Sequence, residues 1–444
     1  MQNLLIHSVH ILDSSDNTDT VGDILVKNGK IVQRGGNITC CGAREIDGRG
    51  LTASPGLVDI HVHLRDPGQV QKEDVFSGCR AAAAGGVTSL MCMPNTIPPI
   101  DTPETVKYIL DKAKKADARV YVCGAVSKGL CGQEAACWRS LKEAGAVALS
   151  DDGRPVASSA LMARAMRDAQ RLGLAVCAHC EDASLSTGGK MNEGKISAKL
   201  GVNGIPAAAE NCGTAREISL AASYGVPVHI CHVSTAVSTQ MVRCAKQHGI
   251  PVTAETAPHY FSLTENELLS RDADFRMNPP LRTEKDRLAV IEGLRDGTID
   301  AIATDHAPHT PHEKADFLSA PSGAIGMETS LAAGITYLVK PGYITLMQLL
   351  RLMTCSPADI IHIGTGTLQP GADADIVLFA PDEEWTVAPD KLHGKSRNAV
   401  FKGRRLTGKV KLTVCRGKIV YSSTVYKKQE NILRRKRHGI RQAD

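Results

Sequence analysis

Between about residue 53 and about residue 310, short β-branched or apolar runs alternate eight times with Ala-rich, charged segments of helical length. This alternation constrains the fold more than any other feature of the chain. Strands that are each followed by a helix run parallel, because a parallel pair needs a crossover of a dozen residues or more. Eight such units predict an α/β chain built on a closed, TIM-like (β/α)8 barrel. The predicted strands are 56–63, 86–95, 119–126, 145–152, 174–180, 226–234, 250–259 and 299–309. Between them, TPETVKYILDKAKKAD and SALMARAMRDAQRLG space apolar residues by three and four, and the first opens with Thr before Pro, a helix-start signal.

The flanks read differently. Residues 1–52 and 364–424 look like short strands joined by Gly-containing turns, and the tetrapeptide GKIV occurs in both, at 29–32 and 417–420. Together they are expected to build a small composite β-sandwich beside a barrel spanning 53–363, with 425–444 as a basic tail. That tail accounts for the charge: 427–444 holds seven Lys/Arg and two Asp/Glu, leaving 45 bases against 45 acids elsewhere. A neutral body gives no footing to nucleic acid. The chain also lacks an apolar run of about 18 residues and a signal-peptide order at its N-terminus, so a soluble, cytoplasmic protein off the membrane is expected. In that reducing setting most of the 14 cysteines are expected to be plain core residues, Cys40 and Cys41 inert.

Barrel active sites lie at the C-terminal ends of the strands, so the residues ending each strand matter most. Strand 1 ends on His61 and His63, strand 2 on Asn95, strand 4 on Asp151 and Asp152. Strand 5 ends on His179, strand 6 on His232, strand 7 on His259, and strand 8 on Asp305 and His306. A purely structural barrel has no reason to end seven of eight strands on such side chains. Two-residue spacing points His61 and His63 the same way, as two ligands of one metal require. Four His with one or two Asp favour zinc over Mg²⁺ or Ca²⁺, with Mn, Co or Fe as alternatives, and leave room for one ion or two. CAHC (177–180) and HICH (229–232) mimic redox and zinc motifs, yet residues three apart on a strand face opposite ways, so only His179 and His232 are kept. A bound metal makes water nucleophilic near neutral pH, and Asp305 is placed to carry the proton to a leaving nitrogen. Arg65, Asn95, Asn278 and His309 can bind an anionic substrate, Arg65 through a bidentate carboxylate contact. The bland alternatives are a salt bridge of Arg65 with Asp66 and a turn of Asn278 before Pro279.

The segments DIHVHLRDPG (59–68), MPNTIPP (93–99), AHCED (178–182), HVSTA (232–236), MNPPLRTEKDR (277–287) and IATDHAPH (302–309) resemble the dihydroorotases of the amidohydrolase superfamily, most of all their type I form. The resemblance implies the barrel with its composite sandwich, and zinc-dependent, reversible interconversion of N-carbamoyl-L-aspartate and dihydroorotate in pyrimidine synthesis. It makes His61, His63, His179, His232 and Asp305 metal ligands, Asp305 also the catalytic acid and base. Arg65, Asn95, Asn278 and His309 would hold the substrate, with His63 beside them and backbone groups of Ser322 and Gly323 helping. Many superfamily members carry a carboxylated lysine at the end of strand 4; here SDDG offers an Asp, and Asp152 fits its spacing to His179 better than Asp151. Two departures from the family pattern are Tyr260, where a second His often follows His259, and Ser322, where an aromatic is common. The resemblance allows a second copy of the chain or an aspartate transcarbamoylase as partner. Hydantoinase and allantoinase are the competing enzymes, and an inactive partner protein is the competing class.

Overall fold

The protein is described by a computed structural model covering residues 2–423; the basic tail at 425–444 lies outside the described residues. Eight parallel strands follow one another around a nearly closed barrel: Leu57–Val62, Val87–Cys92, Arg119–Ala125, Ala146–Ser150, Ala175–Ala178, Val228–Ile230, Val252–Thr256 and Ala301–Ile302. They are barrel strands 1 to 8 below. Strand 8 is far shorter than the 299–309 run predicts, because the backbone leaves extended geometry at Asp305, whose φ is +47°. Closure onto strand 1 is made by a bridge between Val62 and His306, with the His63 N–H donating to the His306 carbonyl at 2.8 Å.

Side chains sort by the period of two. Val58, Met91, Ala148, Cys177, Cys231 and Ala301 pack together inside the barrel, while Leu90, Val122, Leu149, Val176 and Ile230 face the outer helices. The second of the two predicted helices forms as Ser159–Leu172, capped by Ser158 accepting from the Leu161 N–H and ended by left-handed Gly173. It buries Leu161, Met162, Ala165, Met166 and Ala169 on one stripe, and each of the larger side chains contributes about 1.5–3 kcal/mol. Thr102 caps the other, Pro103–Ala113. Sequence periodicity missed an elaboration after strand 5, where Lys195–Leu200 and a two-stranded pair, Met191–Asn192 with Gly204–Ile205, precede the next long helix.

Both chain ends meet in one mixed sheet of eight strands. Ile376–Thr386 runs antiparallel to Thr52–Pro55, which joins Leu4–Asp13, so the C-terminal strands complete a sheet begun by the N-terminal ones. Ile6, Ile11, Ile24, Ile376, Leu412 and Val414 form its apolar core. The two GKIV segments are paired hairpin turns. Asn28 and Gly29, like Arg416 and Gly417, have positive φ at both central positions, the mirror-image turn that suits strand twist. The turns touch: a Cβ on Gly417 would lie 2.4 Å from the Gly29 Cα.

Candidate metal centre and active site

Four imidazoles and two carboxylates converge at the C-terminal mouth of the barrel, all buried. Val62 packs outward among core residues, leaving His61 and His63 on the inner side. His61 Nε2 lies 3.3 Å from Asp152 Oδ1 and 3.7 Å from Asp305 Oδ1. His63 Nε2 lies 3.0 Å from Asp305 Oδ1 and 3.4 Å from Asp152 Oδ2. From strands 5 and 6, His179 Nδ1 and His232 Nε2 come within 3.5 and 3.4 Å of Asp152 Oδ1 and 2.9 Å of each other. Asp152 therefore spans the group, one oxygen toward His61, His179 and His232, the other toward His63. Asp151 turns away: its carboxylate accepts from the Val126 and Ser127 N–H groups and the Ser127 hydroxyl.

Holding this geometry strains the backbone. His232 (φ +39°), Asp305 (+47°) and Arg65 (+60°) occupy the left-handed region without being glycine. Such residues cost of order 1–3 kcal/mol each and persist where the surroundings over-determine them. Polar atoms are also stranded: His61 Nε2, Asp152 Oδ1 and His232 Nδ1 have no hydrogen-bond partner. A buried orphan costs about 1–3 kcal/mol, and a cation at the centre would relieve the two that face it. The nitrogen and oxygen donors fit zinc. Two triads, His61–Asp152–His232 and His61–His63–Asp305, have ligand atoms close enough for an ion. A third, His61–Cys231–Glu255, does not fit one, since His61 Nδ1 and Glu255 already bond at 2.7 Å.

The residues assigned to the substrate ring this centre unevenly. Arg65 is 8 % exposed, and among the described residues no carboxylate pairs with it. Its Nε donates to the Pro308 carbonyl at 3.3 Å, Nη2 lies 3.4 Å from His309 Nε2, and burial pushes its pKa down to about 10. The salt bridge with Asp66 does not form, because Asp66 takes Lys112 at 2.6 Å and the Tyr108 hydroxyl at 3.0 Å. Asn95 Oδ1 accepts from His63 Nδ1 at 2.8 Å. His309 Nε2 donates to the Ser322 carbonyl at 2.9 Å; burial, then the charges of Arg65 and Lys314, push its pKa down to about 3. The backbone of Ser322 and Gly323 is less available than expected: besides that carbonyl, the Gly323 N–H donates to Arg276 and its carbonyl accepts from Asn398. His259 lies beyond strand 7, in the short helix Pro258–Ser262, with Nε2 lacking a hydrogen-bond partner, whereas His306 turns toward Gly326 and Glu73, away from the cluster.

A model of the amidohydrolase family matches residues 52–420. The chain belongs to the amidohydrolase family. Among relatives of this amidohydrolase are proteins named dihydroorotase from Geobacter metallireducens, 48 % identical over 94 % of this chain and 99 % of the relative, and from Acetivibrio thermocellus, 47 % identical over 95 % and 100 %. Of solved structures, L-hydantoinase (dihydropyrimidinase) from Arthrobacter aurescens superposes with a TM-score of 0.86 at 26 % identity, covering 95 % of this chain and 96 % of that one. Dihydropyrimidinase from Brevibacillus agri follows at 0.83 and 25 %, covering 95 % of each chain.

Two carboxylates of this amidohydrolase escaped the sequence reading. Glu181 Oε2 accepts from His179 Nε2 at 2.8 Å and from the Asn278 amide at 2.9 Å. Burial alone would raise its pKa, but His179 and Asn278 outweigh it and draw it down to about 2. Asn278 thus joins the site through Glu181 and is more than a turn before Pro279. Glu255, inside strand 7, accepts from His61 Nδ1. The signals were present in AHCED and VTAET: an acid two residues beyond a histidine of the cluster, and an acid on the inward face of a buried strand. The two thiols of CAHC divide as strand geometry requires, Cys177 inside the barrel and Cys180 in the outer layer.

Proposed function

We propose that this amidohydrolase is a dihydroorotase, acting in pyrimidine synthesis on N-carbamoyl-L-aspartate and dihydroorotate. The observation that carries this choice is Arg65: a buried guanidinium without a carboxylate partner, one loop from the histidine cluster, suits a substrate that brings its own carboxylate. Zinc, one or two ions held by His61, His63, Asp152, His179, His232 and Asp305, would supply Lewis acidity, making water nucleophilic at neutral pH and polarising the ring carbonyl. The two oxygens of Asp152, turned to different histidines, support two ions.

The chain's own residues do the rest. Burial raises the pKa of Asp305, but His63 and then the other imidazoles outweigh it and hold it down to about 2, so it is ionised at neutral pH. It accepts the proton of the attacking water and returns it to the ring nitrogen as the C–N bond breaks. The products are a neutral ureido group and a carboxylic acid that ionises to carboxylate, releasing the second proton of the water to solvent. Arg65, Asn95, Asn278 and His309 orient the substrate. Asn95 and Asn278 do so from positions already tied to His63 and to Glu181. Ser322 and Gly323 bound the pocket, their atoms partly spent on the protein itself.

Among the described residues no helix is long and apolar enough to cross a membrane. A cytoplasmic setting belongs to the same reading, as do a homo-oligomer or an aspartate transcarbamoylase as protein partners. Hydantoinase is the second reading, favoured by the superposition with hydantoinases. Ring opening by zinc-replete protein decides between them, assayed on dihydroorotate, allantoin and hydantoin. Turnover of dihydroorotate is expected; hydrolysis of hydantoin or allantoin without dihydroorotate overturns the proposal.

A further inference from the structure

Below the histidine cluster the barrel interior is apolar, lined by Val58, Met91, Ala148, Ala175 and Ala301. A buried carboxylate interrupts it. Glu255, 1 % exposed, places Oε1 2.7 Å from His61 Nδ1 and Oε2 3.2 Å from His229 Nε2. His229, 2 % exposed, in turn bonds through Nδ1 to the Thr253 hydroxyl at 2.9 Å. The row Thr253–His229–Glu255–His61 therefore runs up the inside of strands 6, 7 and 1 and ends where His61 Nε2 faces Asp152 and Asp305.

Burying a carboxylate is expensive, and well-packed apolar side chains would fill the same space at lower cost. Stability alone is thus a poor reason for Glu255. Its geometry gives a better one. A neutral imidazole that donates through Nδ1 keeps its Nε2 lone pair free, and a carboxylate whose second oxygen faces His229 Nε2 across a 3.2 Å ion-pair contact is discouraged from swinging away from the ring. Resting on the reading of His61 as a metal ligand, we infer that Glu255, held by His229, is a positioning residue that fixes the tautomer and orientation of His61 toward the metal centre.

The test compares metal-free wild-type and Glu255→Gln full-length protein, each titrated with Zn²⁺ against a chromogenic chelator and with Co²⁺ followed by visible absorption. Far-UV circular dichroism of the metal-free forms controls for folding. The expected result is a folded variant whose zinc affinity falls about 10- to 100-fold, with an altered cobalt spectrum. Zinc affinity within about twofold of wild type and an unchanged cobalt spectrum would overturn the inference, leaving Glu255 a structural ion pair. If Glu255→Gln does not fold, His229→Gln carries the test. It leaves the His61–Glu255 bond in place, so weakened zinc retention supports the relay and unchanged retention overturns it. A wild-type protein that takes up no zinc would instead defeat the metal reading itself, a failure visible before any variant is made.

Discussion

The mouth of the barrel and the sheet of terminal strands treat buried polar groups in opposite ways. In the sheet, Asp13 is fully buried and satisfied: it accepts from Arg34 at 2.6 Å, from Ser15, from the Thr367 hydroxyl and from the Leu368 N–H at 2.7 Å. Asp23 does the same with the Ser8 and Ile38 N–H groups. At the mouth, His61 Nε2, Asp152 Oδ1, His232 Nδ1, His259 Nε2 and His309 Nδ1 lack hydrogen-bond partners. The first region spends its polar groups on joining the two ends of the chain. The second leaves them poised for something the protein does not itself supply. Stability and chemistry are thus housed apart, and substitutions should separate them.

The largest effect is expected at the mouth. Asp305→Asn should lower kcat by about 10²–10⁴-fold while zinc is retained, measured by ring-opening kinetics beside metal analysis. Near-normal turnover would remove Asp305 as the proton carrier and blur the contrast. The converse experiment is Asp13→Ala. Loss of a buried acceptor shared by both chain ends should cost about 2–4 kcal/mol in urea unfolding with kcat/KM unchanged, and an equal fall in activity would break the separation. A smaller effect follows from His309. Its folded pKa, about 3, lies below the unfolded value near ~6.5, so between these pH values only the unfolded chain holds the proton. Stability is therefore lost as pH falls below ~6.5, by up to about 1.4 kcal/mol per unit. His309→Gln should shrink the difference in unfolding free energy between pH 7 and pH 5 by about 1–2 kcal/mol. An undiminished difference would mean that the folded protein already protonates His309.

The barrel was legible because its signal is repeated: eight apolar runs at helix-length spacing leave few topologies open. The ends of those runs named the histidine cluster, since the position of a residue on a barrel strand fixes the end at which it emerges. Less local features escaped. The acid of VTAET reads as an ordinary strand residue until closure of the barrel is known to bring strand 1 within one strand of strand 7. Likewise Asp66 beside Arg65 suggests an ion pair, and only packing shows Lys112 and Tyr108 closer to it. The backbone of Ser322 and Gly323 illustrates the same limit, because a sequence does not say that the Gly323 N–H is spent on the Arg276 carbonyl, or that Asn398 and His309 have claimed the Gly323 and Ser322 carbonyls.

By itself, then, the sequence determined the repeating βα units, the meeting of the two flanks and the set of donors gathered at one end of the barrel. Periodicity and turn chemistry are properties of neighbouring residues and survive in one dimension. Which of two adjacent aspartates faces the imidazoles was decided only in three dimensions, as were the carboxylate that orients His61 and the arginine left without a carboxylate partner among the described residues. Those outcomes depend on distances between strands far apart in the chain, where a shift of one residue in register exchanges the inside of the barrel for the outside.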